Sequence, residues 1–262
     1  MVKNLCLILF AYHAHPEYKL IVAANRDEFY QRSTAQAHFW EDQPAILGGR
    51  DLEKMGTWMG VTTTGRYAAL TNYRDPKEYS AGKSSRGELV ANYLKGTALP
   101  ETFMVGTAEA REKYPGYNLL AGDSAGLFYY SNIENKVHRV EPGIHGLSNH
   151  LLNTDWPKVT KGRGGLKTII DQSKESAPGE KEMIDELFAL LQDADPAPDE
   201  LLPKTGISRE WERLLSPLFI KSEDYGTRSS TVFLMSERYI KYVERVFTNG
   251  EQKTSKYTIS LQ

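Results

Sequence analysis

The chain reads as an α+β protein of layered sheets and helices. Two observations carry that class. The apolar runs at residues 5–12 and 19–24 are nearly continuous, so strands there are covered on both faces instead of keeping one face wet. Strand-like runs also come in pairs joined by short turns, and helical periodicity falls in two blocks between them, unlike the strict strand–helix alternation of a doubly wound parallel sheet.

The first pair, residues 5–12 and 19–24, is joined by His13-Ala14-His15-Pro16-Glu17 and predicts an antiparallel hairpin. Residues 58–62 and 67–72 flank Thr63-Thr64-Gly65-Arg66, and residues 117–121 and 127–130 flank Gly122-Asp123-Ser124-Ala125-Gly126, two more hairpins. Between them Ser85 and Glu88 have capping-box spacing, and Leu89, Val90, Tyr93 and Leu94 repeat at helical spacing, predicting a helix over 85–95. Asp155-Trp156-Pro157 opens another helix, although Gly162, Gly164 and Gly165 weaken it. A third, over 181–192, places Ile184, Leu187, Phe188 and Leu191 on one face. Strands at 231–235, 239–247 and 257–261 finish the chain, with Asn249-Gly250 as a tight-turn signal. Gly48-Gly49-Arg50-Asp51 reads as a glycine-rich loop. No internal repeat stands out, and residues 1–262 are expected to form one domain.

A net charge of −2 and a pI near 6.3 give no overall pull toward nucleic acid or anionic membrane. One cysteine excludes an intrachain disulfide and any multi-cysteine metal site, which suits a reducing compartment. The opening apolar run is about seven residues long and lacks a cleavage signal, so it reads as a strand and not a signal peptide. No segment approaches the roughly twenty apolar residues needed to span a bilayer. A cytoplasmic protein with a small-molecule ligand, no nucleic-acid partner and no membrane insertion is expected; the oligomeric state is not legible.

Candidate chemistry begins at Cys6. A lone cysteine in an apolar strand is a small hydrophobe unless neighbouring cations or donors favour its thiolate. Asn25-Arg26-Asp27-Glu28 closes the second strand and offers such neighbours; a salt-bridged turn is the alternative. Asn72 and Asn149 each end an apolar strand, where an amide can donate to a developing oxyanion or serve turn chemistry. Arg228, in Tyr225-Gly226-Thr227-Arg228-Ser229-Ser230-Thr231, enters a buried strand, and its guanidinium needs an acid, a carbonyl or a substrate anion. His13 and His15 lie on the first hairpin turn and His38, His138, His145 and His150 lack helical metal-ligand spacing, so no metal site is expected.

Taken in order, Cys6-Leu7-Ile8-Leu9-Phe10, Ala24-Asn25-Arg26-Asp27-Glu28-Phe29-Tyr30, Gly56-Thr57-Trp58-Met59-Gly60, Ala69-Leu70-Thr71-Asn72-Tyr73-Arg74 and Gly226-Thr227-Arg228-Ser229-Ser230-Thr231 resemble the NRDE family, that of transport and Golgi organization protein 2. That family in turn resembles cysteine N-terminal nucleophile (Ntn) hydrolases. The resemblance implies a four-layer αββα sandwich and hydrolysis of a linear amide of a small metabolite. By the same carry-over Cys6 is the nucleophile, Asp27 binds its amine, Asn72 and Asn149 hold the oxyanion, and Arg26 and Arg228 depress the thiol pKa and orient substrate beside Asn25 and Glu28. Two departures stand out. Ala24 occupies the place of an arginine in the acylases, and residues 1–5 precede Cys6, so its α-amine exists only if they are removed. The alternative the resemblance carries is a non-catalytic carrier or chaperone of a hydrophobic ligand such as haem or lipid on the same fold, needing no resident cofactor; a third is a protein-interaction role on a retired hydrolase scaffold.

Overall fold

The computed structural model describes residues 6–75, 82–176, 179–248 and 250–261. They comprise β1 (Cys6–Tyr12), β2 (Leu20–Phe29), β3 (Thr34–Trp40), β4 (Gln43–Asp51), β5 (Met59–Thr62), β6 (Tyr67–Asn72), α1 (Gly87–Lys95), α2 (Pro100–Glu109), β7 (Tyr117–Asp123), β8 (Gly126–Ser131), β9 (Lys136–Arg139), β10 (Gly143–Leu147), α3 (Pro157–Ser176), α4 (Glu180–Leu191), α5 (Arg209–Leu214), β11 (Tyr225–Met235), β12 (Tyr239–Thr248) and β13 (Glu251–Ser260). These elements group into two compact units that interleave along the chain, the first containing Glu141–Ser148 and Leu152–Ile259 besides the N-terminal hairpin, the second mainly Arg32–Val140 with Asn149–Leu151.

The first unit is built on a six-stranded sheet of order β10-β1-β2-β11-β12-β13. β1 pairs antiparallel with β2 from Cys6↔Arg26 to Tyr12↔Leu20, and β11 pairs antiparallel with the other edge of β2. One face carries Leu7, Leu9, Ile21, Ala23, Val232 and Leu234, which pack with Val159, Leu166 and Ile170 of α3 and Leu187, Phe188 and Leu191 of α4. Residues of the other face, Ile8, Phe10, Val22, Ala24 and Phe233, are buried as well, as the unbroken apolar runs require. The glycines of α3 do not break it. A Cβ on Gly162 would lie 2.7 Å from the Leu9 side chain, and one on Gly165 would collide with Leu190, so both glycines let the helix sit close to β1 and α4.

The second unit is a seven-stranded antiparallel meander, β3 to β9 in chain order, with α1 and α2 supplying Leu89, Val90, Tyr93 and Met104 to a core with Ala68, Leu70, Leu119 and Ala121. Here two expectations are corrected. Gly48 to Asp51 are not a loop but the end of β4, where Gly48 faces Met59 so closely that a Cβ would lie 2.8 Å from its carbonyl oxygen. The capping box does not form: the carboxylate of Glu88 instead accepts from the Tyr114 hydroxyl at 2.6 Å, and α1 starts at Gly87 without a side-chain cap. β3, β4, β9, β10, α2 and α5 carry too little apolar periodicity to be read from sequence. The last predicted strand is longer than expected, spanning Glu251 to Ser260, and Asn249 of its turn lies outside the described residues.

Candidate active site around Cys6

Cys6 is the first residue of β1 and is 5% exposed. Strand alternation puts its side chain on the face of Ile8 and Phe10, away from the helices. Its cross-strand partner Arg26 shares that face, and on the other side of β2 Arg26 pairs with Ser229 of β11. The Ser148 hydroxyl donates to the Cys6 carbonyl oxygen at 2.9 Å, a tie from the end of β10 to the start of β1. Ser148 is a residue that sequence reading passed over, although it adjoins Asn149 in the same short segment.

The four residues of the Asn-Arg-Asp-Glu string divide between the two faces of β2. Arg26 and Glu28, two apart on Cys6's side, form an ion pair at 3.3 Å, and the other Glu28 oxygen accepts from the Phe29 N–H at 2.9 Å. Glu28 is 2% exposed, so the arginine offsets a charge that burial would otherwise penalise. Asn25 faces the helices. Its amide donates to the carbonyls of Leu191 at 2.9 Å and Leu218 at 2.8 Å, and its oxygen accepts from Ser230 at 2.6 Å. Asn25 is therefore a strut between β2, the end of α4 and the 218 loop; the expectation that it contacts substrate beside Cys6 is corrected by its facing the other way.

Asp27 is fully buried and lies one step beyond Arg26, past the start of β1. Its Oδ1 accepts from the Thr227 hydroxyl at 2.7 Å, and the same hydroxyl oxygen accepts from the Ile220 N–H at 2.9 Å. Thr227 was legible only as one of several hydroxyls around Arg228. Past Thr227 the register with β2 shifts before Ser229, which makes Arg228 the extra residue of a bulge. Bulges re-aim a side chain. Arg228 Nη1 donates to the carbonyls of Phe29 at 2.9 Å and Tyr30 at 3.1 Å, one of the three kinds of partner its sequence context left open.

Burial pushes the Cys6 thiol up to about 12, and the Asp27 charge adds to the rise; Arg26 and the Asp27 N–H pull it down without overcoming them. The depression expected from Arg26 and Arg228 is thus reversed, because desolvation of a thiolate outweighs the pull of nearby cations. A peptide-bonded Cys6 is held as the neutral thiol at physiological pH.

In the second unit Asn72 ends β6, and Asn149 follows β10 in the chain. The Asn149 amide donates to the Asn72 carbonyl at 2.9 Å, while the Asn149 carbonyl accepts from Arg74 N–H at 2.7 Å. Asn118 extends this network by donating to Thr71 Oγ1 at 3.1 Å and to the His150 carbonyl at 3.0 Å. The two asparagines that sequence reading paired are thus directly bonded to one another. Among the described residues no group of three or more His, Cys, Asp or Glu is arranged to hold a metal ion, and no helix is long and apolar enough to cross a membrane.

The sequence matches the Transport and Golgi organisation 2 family over residues 5–249. The chain belongs to this family. Its Transport and Golgi organisation 2 relatives include the Bos taurus homolog, 34% identical over 92% of both chains, and the Homo sapiens homolog, 31% identical over 97% of this chain and 99% of that one. A Drosophila melanogaster member is 29% identical over 93% of each chain. Among solved structures, a mutant conjugated bile acid hydrolase from Clostridium perfringens superposes with a TM-score of 0.50 at 9% identity, covering 98% of this chain and 96% of that one. The Transport and Golgi organisation 2 fold seen here is accordingly the α+β fold of Ntn hydrolases, two antiparallel sheets each flanked by helices.

Proposed function

We propose that the protein is an Ntn-type cysteine hydrolase that cleaves a linear amide of a small metabolite in the cytoplasm, and that it becomes competent when residues 1–5 are removed. The observation that carries this reading is at the start of β1: a buried thiol on which both the charge and the N–H of the buried Asp27, one residue beyond its cross-strand partner Arg26, act. Residues 1–5 lie outside the described residues. Freed of them, Cys6 would bear an α-amine beside Asp27, and a neutral amine is the base the thiol lacks. The amine takes the thiol proton, the thiolate adds to the amide carbonyl, and the resulting ammonium returns the proton to the leaving amine. Water then hydrolyses the thioester. Asp27 would hold the ammonium, Arg26 and Arg228 would orient substrate, and the Asn72 and Asn149 amides are the proposed oxyanion donors. The hydrolase fold supports this reading.

Intact mass and N-terminal sequencing of the purified protein, with turnover of a panel of N-acyl amino acids and acyl-homoserine lactones, test it. Turnover is expected from chains beginning at Cys6 and not from chains retaining residue 5 or from Cys6→Ala. Equal turnover by Cys6→Ala and the parent overturns it.

The protonated thiol of the peptide-bonded chain favours a second reading, a carrier of a hydrophobic ligand such as haem or lipid that binds without chemistry. Haemin titration followed at the Soret band checks it: saturable binding is expected, and an unchanged spectrum removes it.

A further inference from the structure

The first unit contains a cavity of about 770 Å³ that Cys6 does not line. Its volume falls within the ~300–1,000 Å³ range of small-molecule sites. Three aromatic rings, Tyr30, Phe219 and Phe247, form part of its wall, with Arg228 and the buried Thr227 beside them. We propose that this cavity binds a small amphipathic anion, its carboxylate on Arg228 and its apolar body against the Tyr30, Phe219 and Phe247 rings.

The wall is set before any ligand arrives. Phe219 and Phe247 meet edge to face, ring centroids 5.0 Å apart at 81°. The Tyr30 hydroxyl rests on Gly226 so closely that any Cβ there would collide with it and lie 2.6 Å from the Ile220 carbonyl. Arg228 is fixed by the two carbonyls it already holds. Such preorganisation lowers the ordering cost of binding.

Charge decides the sign of the ligand. Arg228 is the half-buried charge on the cavity wall, whereas Lys221, Glu223 and Glu251 are exposed and solvated. Burial first and then Arg26 weaken the hold of Arg228 on its proton, with Glu28 and Tyr30 opposing them. A carboxylate brought to the guanidinium relieves both penalties; a cation would add to them. The acidic groups that would receive a cation stand in water, where a pair contributes little.

The probe is 1-pyrenebutyrate, followed by fluorescence anisotropy on the full chain carrying Cys6→Ala, so that no covalent chemistry intervenes. Saturable binding is expected, with 1-pyrenebutanol and the Arg228→Met variant each weaker by about ten-fold or more, the loss that accompanies removal of one charged hydrogen-bond partner. Because Arg228 also anchors two backbone carbonyls, a second variant keeps it in place: Thr248→Trp, at an exposed position on the cavity wall, is expected to block the probe while melting like the parent. Equal affinity for the acid and the alcohol overturns the inference, as does undiminished binding by Thr248→Trp. Since binding is measured without the thiol, failure of the hydrolase reading leaves this result untouched.

Discussion

At the residue scale Cys6 and Asn25 show how burial assigns opposite roles to neighbouring polar groups. Burial raises the thiol to about 12 from an ordinary value of 9.0, so the folded chain holds that proton more tightly than the unfolded chain. Its contribution to stability is complete below pH 9 and is lost as pH rises from about 9 toward about 12. Urea unfolding should therefore show the parent losing stability relative to Cys6→Ala across that window, by at most about 1.4 kcal/mol per pH unit. Iodoacetamide at pH 8 should alkylate the native thiol far more slowly than the unfolded one, and native reactivity should climb only well above pH 9. Asn25 carries the opposite lesson, since its amide satisfies two buried carbonyls. Asn25→Ala leaves both unsatisfied and should lower stability by about 2–4 kcal/mol in the same urea assay, while 1-pyrenebutyrate binding by the folded fraction persists.

At the element scale α3 and β11 mark how far the sequence could be read. Asp155-Trp156-Pro157 located the start of α3, but its three glycines argued against a continuous helix because intrinsic propensity says nothing about what lies opposite. Only the structure shows Leu9 and Leu190 filling the space that side chains at 162 and 165 would need. Gly162→Ala should improve local propensity yet still destabilise, by about 1–3 kcal/mol, because overpacking against β1 prevails; a fall in the urea midpoint at unchanged slope checks it. The strands of the first sheet were legible where both faces are buried, as in β1, β2 and the second half of β11. The half-buried β3 and β9 and the exposed β13 were missed or shortened, since a strand with a wet face carries less apolar signal. Of the site, the string at residues 25–28 and Arg228 were recognisable as a group, but alternation across β2 and the bulge at Arg228 depend on pairing partners some 200 residues away, which no local pattern encodes.

At the scale of the whole molecule the two units differ in how their sheets are threaded. The seven-stranded meander pairs neighbours in chain order, whereas the six-stranded sheet places β11 against β2 and β10 against β1. Closing such distant pairs costs more chain entropy, so the meander should form first. Pulse-labelling hydrogen exchange during refolding should protect amides of β5 to β8 before those of β1, β2 and β11; simultaneous protection would contradict this order. The two faces of β2 then have a consequence for a cell carrying variants of the chain. Loss at Asn25 should deplete the protein itself and be partly relieved at lower growth temperature. The subtle change Arg26→Lys, which keeps the charge opposite Glu28, should leave a full complement of altered protein that cooling does not rescue. Adjacent letters of one string would thus produce the same deficiency by separate routes, told apart by an immunoblot.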